Sequence, residues 1–168
     1  MVYGTEQEKE IATIRERNIK VELSDADCER IAELCGKHNL TVGQLIKNFI
    51  GDLVDGTYSN GSDERDMAEQ WFNRCWFGMF PDETLLSWFL NQMIDIDDFL
   101  TVVDEMNYAK EHPEEYKDEE KKDGKFWFEQ EYDDYVSEFL ERNKDADMEK
   151  EIEEVRKWYK EKESFVHE

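Results

Sequence analysis

The side chains best suited to nucleophilic or metal chemistry are scarce, since the chain has only three cysteines and three histidines. Nucleophilic catalysis needs a Ser or Cys beside a His and an orienting carboxylate. Cys28, Cys35 and His38 lie close together along one predicted helix and its end, which suggests a zinc site. Neither a C-x-x-C motif nor a second pair of ligands accompanies them. Cys28 and Cys35 fall two turns apart on an apolar stripe, so we interpret them, like Cys75, as core residues.

Two other patterns approach known ion or phosphate sites without matching them. Residues 143–154 place oxygen-bearing side chains at the ligand positions of an EF-hand loop, but Met148 replaces its glycine and Lys150 its apolar residue. The stretch GTYSNG at 56–61 lacks the Lys-Ser/Thr pair of a P-loop. Among 44 Asp and Glu residues, a pair of carboxylates says nothing specific about acid–base catalysis. The sequence therefore predicts no enzyme, metal or cofactor.

The first structural elements are predicted by residues 18–54. Polar and apolar side chains alternate over residues 18–23, which predicts a half-buried strand. Its apolar members are Ile19, Val21 and Leu23. Ser24 and Thr41 then predict the N-caps of two amphipathic helices, the first from about Asp25. A lone strand leaves its backbone groups unsatisfied, so this strand needs a partner strand.

Residues 17–54 resemble the ribbon-helix-helix family, in the alternation that ends at Leu23-Ser24-Asp25 and in LTVGQLI at 40–46. The resemblance implies a homodimer in which two copies pair their strands into a ribbon that enters the DNA major groove. It assigns the DNA contacts to Arg17, Asn18 and Lys20. Glu22 departs from the pattern, because a carboxylate in the groove repels phosphate.

The charge of the chain opposes DNA binding. The net charge is −23, of which residues 1–55 carry −4 and residues 56–168 carry −19. Nucleic-acid affinity depends chiefly on Lys and Arg that neutralise phosphates, and the sequence shows no basic patch. Acidity can also serve solubility alone, and that interpretation stays open.

Composition divides the chain into three predicted modules. The glycine-rich stretch DGTYSNGSD at 55–63 separates a ribbon-helix-helix-like module, residues 1–55, from an aromatic-rich helical module, residues 56–110, which contains WFNRCWFGMF at 71–80. An acidic helical segment follows over residues 111–168, and its first part, residues 111–125, is nearly free of aliphatic side chains. The fold class is mostly α, a strand-helix-helix module followed by a helical bundle.

The leading functional hypothesis is a non-enzymatic inhibitor whose carboxylates occupy the basic groove of a nucleic-acid-handling protein, such as a nuclease. In charge, size and organisation the chain resembles small acidic products of mobile elements, of the anti-CRISPR or anti-restriction type. Aromatic side chains would supply the anchors and carboxylates the charge. The expected partner-binding residues are Glu114, Glu115, Asp118, Glu119, Glu120, Trp127, Tyr132, Asp133, Asp134 and Tyr135. The competing interpretation is that these aromatic residues form a small helical core.

The alternative hypothesis is a dimeric DNA-binding transcriptional regulator with an acidic partner-binding domain.

Both hypotheses share an expected cellular compartment. No apolar run approaches 18 residues and the first residues lack a signal pattern, so we expect a protein of the cytoplasm of a bacterial or phage-infected host cell, without a membrane partner. The odd number of cysteines fits a reducing compartment.

Overall fold

The computed structural model describes residues 3–75, 82–119 and 121–167, with the backbone alone at residue 3. This part of the chain divides into two compact units, unit 1 within residues 1–81 and unit 2 within residues 82–168. Its regular elements are all helical. Their bounds are α1 Tyr3–Ala12, α2 Asp25–Lys37, α3 Val42–Leu53, α4 Ser62–Arg74, α5 Leu85–Asn91, α6 Ile96–Glu111, α7 Trp127–Arg142 and α8 Met148–His167.

The predicted ribbon strand is wrong. Residues 14–24 join α1 to α2 without regular structure, and the one isolated bridge in the described chain joins Lys122 to Lys125. The side chains expected on a half-buried face are 54–63% exposed, namely those of Ile19, Val21 and Leu23. A strand is stabilised by hydrogen bonds to a neighbouring strand, and unit 1 offers none among its described residues. A strand-helix-helix module is therefore absent here, whereas the mostly helical character is confirmed.

The helix starts predicted from capping residues are confirmed. The Ser24 hydroxyl accepts a hydrogen bond from the backbone N–H of Asp27 at 3.1 Å, and it donates to the Asp27 carboxylate at 2.7 Å. Thr41 and Gln44 form a reciprocal capping box at the start of α3. Such caps satisfy backbone donors that have no partner inside the helix, which is why a local pattern suffices to place a helix start.

Unit 1 contains α1 to α4. Helix α3 packs against α2 and α4, and Phe49 of α3 meets Trp71 of α4 edge-to-face with ring centroids 5.2 Å apart. The buried side chains among its described residues are those of Cys35 and Ala68. Helix α1 was not anticipated from the sequence. Residues 76–81, which continue the predicted aromatic module, lie outside the described residues.

Unit 2 contains α5 to α8 around one apolar core. Helix α6 packs along α7, and α8 packs against α5 and α6. Phe89, Phe99, Phe139 and Val155 are at most 1% exposed at the centre of this core. Asp95 caps α6, since its carboxylate accepts hydrogen bonds from the backbone N–H groups of Asp97 and Asp98.

The described residues between α6 and α7 form mainly turns. A small second cluster holds them against the helices: Val102, Tyr116 and Phe128 are buried together. The predicted module boundaries at residues 55 and 110 fall in the loop between α3 and α4 and at the end of α6. Within the described ranges, no helix is both long enough and apolar enough to cross a membrane.

Candidate acidic binding face

Negative charge is concentrated in unit 2. Residues 82–168 contain 29 Asp and Glu against 12 Lys and Arg, a net charge of −17, whereas residues 1–81 carry −6. The helices of unit 2 differ from one another. Helix α8 mixes six carboxylates with five Lys and Arg, whereas α7 has six carboxylates and one cation, at its last residue.

Helix α7 separates its apolar and acidic residues onto opposite sides. Its inner side contributes Phe128, Val136 and Phe139 to the core. Its outer side carries exposed residues at spacings of four, three, four and three, which repeat on one face of an α-helix. They are Trp127, Glu131, Asp134, Glu138 and Glu141. At about 1.5 Å per residue, this stripe runs for roughly 21 Å. We call it the α7 stripe.

The four carboxylates of the α7 stripe have no cation beside them. Among the described residues, none of the four forms an ion pair or accepts a side-chain hydrogen bond. The one cation of α7, Arg142, lies 3.1 Å from Glu83 and over the ring of Trp88. Four adjacent charges without a counter-ion are a cost in a folded monomer, and that cost is recovered when a cationic surface covers them.

The predicted site residue Asp133 is engaged inside unit 2. Its carboxylate accepts a hydrogen bond from the Lys125 ammonium group, and this bond raises the pKa of Lys125. Asp133 is therefore partly neutralised, whereas its neighbour Asp134 belongs to the α7 stripe. Adjacent carboxylates on one helix thus have different partners, because residues one apart point about 100° away from each other.

Four other predicted carboxylates lie in the turns before α7. Glu114, Glu115, Asp118 and Glu119 are exposed there, and Glu120 lies outside the described residues. Glu114 pairs with Lys117, and Glu115 accepts a hydrogen bond from the Tyr108 hydroxyl at 3.1 Å. Within the described chain, the side chains of Asp118 and Glu119 form no hydrogen bond or ion pair, so this segment adds exposed negative charge.

The three predicted aromatic anchors separate into two environments. Tyr132 stacks on Phe99 at 6.1 Å and Tyr135 meets it edge-on at 5.6 Å, so both belong to the edge of the core. Burial raises the pKa of each of these phenols. Trp127 is 49% exposed at the end of the α7 stripe. Of the three, Trp127 is therefore the side chain available to a partner.

Glu131, Glu138 and Glu141 were not predicted from the sequence as partner-binding residues. A usable signal was present, because the acidic spacing from Glu131 to Glu141 runs parallel to the apolar stripe on the opposite side of the same helix. What the spacing could not show is which carboxylates find a cation in the folded unit.

The residues assigned to DNA contact lie in the extended segment after α1. Asn18 and Lys20 are exposed and Arg17 is partly buried, and the three are flanked in the sequence by Glu16 and Glu22. The ribbon that would carry these side chains into a groove is absent from the described chain. The positions of these three side chains therefore do not favour contact with DNA over contact with another partner.

The cysteines considered for zinc differ in exposure. Cys35 is buried and Cys28 is exposed, so the core prediction is confirmed for Cys35 and wrong for Cys28, while Cys75 is partly buried. The described part of the chain contains no group of three His, Cys, Asp or Glu side chains arranged to hold a metal ion.

No family model matches the chain, and neither a curated protein nor a solved structure matches it.

Two tyrosines of unit 2 are bound to carboxylates and are expected to limit its stability in alkali. The pKa of Tyr116 is raised to about 12, mainly by the hydrogen bond to Glu105 and to a smaller extent by burial. The hydrogen bond to Asp97 does the same for Tyr159, whose pKa is also raised to about 12. In the unfolded chain tyrosine ionises near pH 10. These groups therefore contribute stability fully below pH 10, and that contribution is lost as the pH rises from 10 to about 12.

Denaturant unfolding measured across this pH range tests the prediction. The variant with both Tyr116→Phe and Tyr159→Phe is expected to show a flatter decline of the free energy of unfolding above pH 10 than the wild type. Tyr58→Phe, at an exposed tyrosine of unit 1, is the control and should keep the wild-type decline. Equal slopes for all three proteins would contradict the assignment.

Proposed function

We propose that this chain is a non-enzymatic acidic binding protein that inhibits a nucleic-acid-handling enzyme by covering its basic groove. The observation that supports the proposal best is the α7 stripe. Its four carboxylates are exposed and pair with no cation, while the opposite side of the same helix packs into the core. A groove that binds phosphates presents Lys and Arg, and these are the complementary charges for such a stripe.

In this proposal, the negative charge and the exposed aromatic surface have different tasks. The net charge of unit 2 would speed the encounter with a cationic protein and would make it sensitive to salt, since screening at physiological ionic strength acts beyond about 8 Å. Trp127 would supply apolar contact at one end of the stripe, where exposed tryptophan is a frequent source of affinity. The tyrosines at the core edge have no part in this contact.

The test is a plasmid-cleavage assay with a panel of restriction endonucleases and RNA-guided DNA nucleases. Wild-type protein is expected to inhibit at least one of them, with an affinity that falls as salt rises. Neutralising the stripe by E131Q, D134N, E138Q and E141Q together should weaken inhibition by about tenfold or more.

The matched control neutralises four exposed carboxylates of α8, by E149Q, E153Q, E154Q and E161Q. It changes the net charge by the same amount on a helix that already carries cations, so inhibition should change by less than about twofold. Equal losses in the two variants would show that net charge alone matters and would contradict the proposal. Failure of the wild type to inhibit any nuclease of the panel would contradict it as well.

A further inference from the structure

The loop between α3 and α4 contains the one Asn-Gly pair of the sequence. The chain has eight asparagines, and Asn60 alone is followed by glycine. An asparagine before glycine loses its side-chain amide most readily, because a residue without Cβ leaves its backbone nitrogen unhindered for attack on that amide. Asn60 is also exposed, so water reaches it. This loop therefore presents the most reactive asparagine of the chain to solvent.

The backbone of the loop requires glycine after Asn60. Gly61 has a φ of +156°, a conformation that residues with a side chain rarely adopt. It is also the N-cap residue of α4. Any other residue type at position 61 would be strained, so the reactive pair is part of the way in which the chain enters α4.

Asp52 of α3 holds Asn60 through two hydrogen bonds, which we call the Asp52 clamp. One carboxylate oxygen accepts a hydrogen bond from the Asn60 backbone N–H at 2.6 Å, and the other accepts from the side-chain Nδ2 at 2.8 Å. Hydrogen bonds to a carboxylate are stronger than those between neutral groups. The Asp52 clamp therefore restrains rotation of the Asn60 amide group toward the Gly61 nitrogen.

The rest of the loop is held by polar contacts as well. The Arg65 guanidinium of α4 lies 3.1 Å from the Asp55 carboxylate and donates a hydrogen bond to the Ser59 hydroxyl at 2.9 Å. Segments that are fixed mainly by polar contacts near the surface open locally at a small fraction of the free energy needed to unfold a core. Local opening is thus the step that frees the Asn60 amide.

We propose that Asn60 is a site of spontaneous covalent modification and that the Asp52 clamp sets its rate. When the clamp opens, the Gly61 backbone nitrogen gives its proton to water and attacks Cγ of Asn60. A Cγ–N bond forms and closes a cyclic imide, while the Cγ–Nδ2 bond breaks and Nδ2 takes up a proton and leaves as ammonia. Water then opens the imide at either carbonyl, which gives aspartate or isoaspartate. The net reaction consumes one water and releases one ammonia.

The modified chain cannot restore the Asp52 clamp. The amide donor of Asn60 is replaced by a carboxylate, which would have to approach the Asp52 carboxylate at hydrogen-bond distance, and like charges so close repel each other. The reaction therefore runs in one direction and removes a contact between α3 and the start of α4. It adds one negative charge to the −23 of the chain. This inference concerns unit 1 and is independent of the proposed inhibition, which involves unit 2.

The experiment is peptide mapping by mass spectrometry on the folded full-length chain, sampled during incubation in neutral buffer. Asn60 is expected to gain about 1 Da before any other asparagine does, and isoaspartate should be present in the product. D52A removes the clamp and should raise the rate at Asn60 by about fivefold or more. D66A is the matched control, because it removes an exposed carboxylate of α4 outside the clamp. It should leave the rate within about twofold of the wild type.

Wild-type protein unfolded in guanidinium chloride keeps the proposal testable if D52A fails to fold. Without the clamp, Asn60 should react at least about threefold faster in the unfolded chain than in the folded chain. A folded protein in which Asn60 reacts no faster than the other asparagines would overturn the proposal. So would a product that contains aspartate without isoaspartate, since only the imide gives both. Equal rates for D52A and D66A would show that the clamp does not control the reaction.

Discussion

Phe99→Ala is expected to lower the free energy of unfolding of unit 2 by about 3–5 kcal/mol, the usual cost of removing a buried phenylalanine ring. Phe99 is fully buried. Its ring meets Phe89 at 4.6 Å, stacks on Tyr132 at 6.1 Å and meets Tyr135 edge-on at 5.6 Å. Alanine would leave a cavity where α5, α6 and α7 come together, and rigid aromatic neighbours fill such cavities poorly.

Urea unfolding followed by far-ultraviolet circular dichroism measures the effect of Phe99→Ala. Leu90→Ala is the matched control, because Leu90 is 46% exposed on a helix of the same unit and its truncation leaves no enclosed cavity. We expect the control to cost about 1 kcal/mol or less. A loss of under 1 kcal/mol for Phe99→Ala would show that the aromatic cluster is not the centre of this core.

Val155→Asp is expected to release α8 from the rest of unit 2. Val155 is fully buried and is the one completely enclosed side chain of α8. A carboxylate at this position would have no cation or donor inside an apolar cluster, and an unpaired buried charge typically costs about 4 kcal/mol or more. A second long-range contact would be lost with it, since Glu151 of α8 accepts a hydrogen bond from the Leu85 backbone N–H at 2.8 Å.

Limited proteolysis checks this release, because cleavage within α8 requires that the helix detach and unfold locally. The Val155→Asp protein should be cut there at least tenfold faster than the wild type. Ser164→Asp adds the same charge at an exposed position of the same helix and should be cut at the wild-type rate. Cleavage that is equally fast in both variants would attribute the effect to added charge instead of lost packing.

Local patterns of the sequence placed two helix starts correctly. Ser24 and Thr41 were each predicted as caps, and each accepts a hydrogen bond from the first turn of its helix. These predictions succeed because a cap involves residues only two or three positions apart. The strand at residues 18–23 was predicted from an equally clear local alternation and is absent. Its formation depends on a neighbouring strand, which no local pattern can supply.

The predicted site residues on α7 likewise divide into those that the local sequence pattern placed correctly and those that the tertiary packing placed elsewhere. Asp134 and Trp127 were predicted as partner-binding residues, and both lie on the outer side of α7. Tyr132 and Tyr135 were predicted with them and pack against the core. Helical periodicity fixes which residues share a side of α7, but the side that faces the core is set by the helices that pack on it.

The amino-acid sequence by itself determined the large negative charge, the helical character and the capped helix starts, because these follow from composition and from neighbours along the chain. Only the tertiary structure decided which carboxylates have a cation and which apolar side chains have cover. Asp133 and Asp134 are adjacent, yet one receives Lys125 and the other faces outward without a cation. Both outcomes depend on groups distant in sequence, whose positions are set by the packing of whole helices.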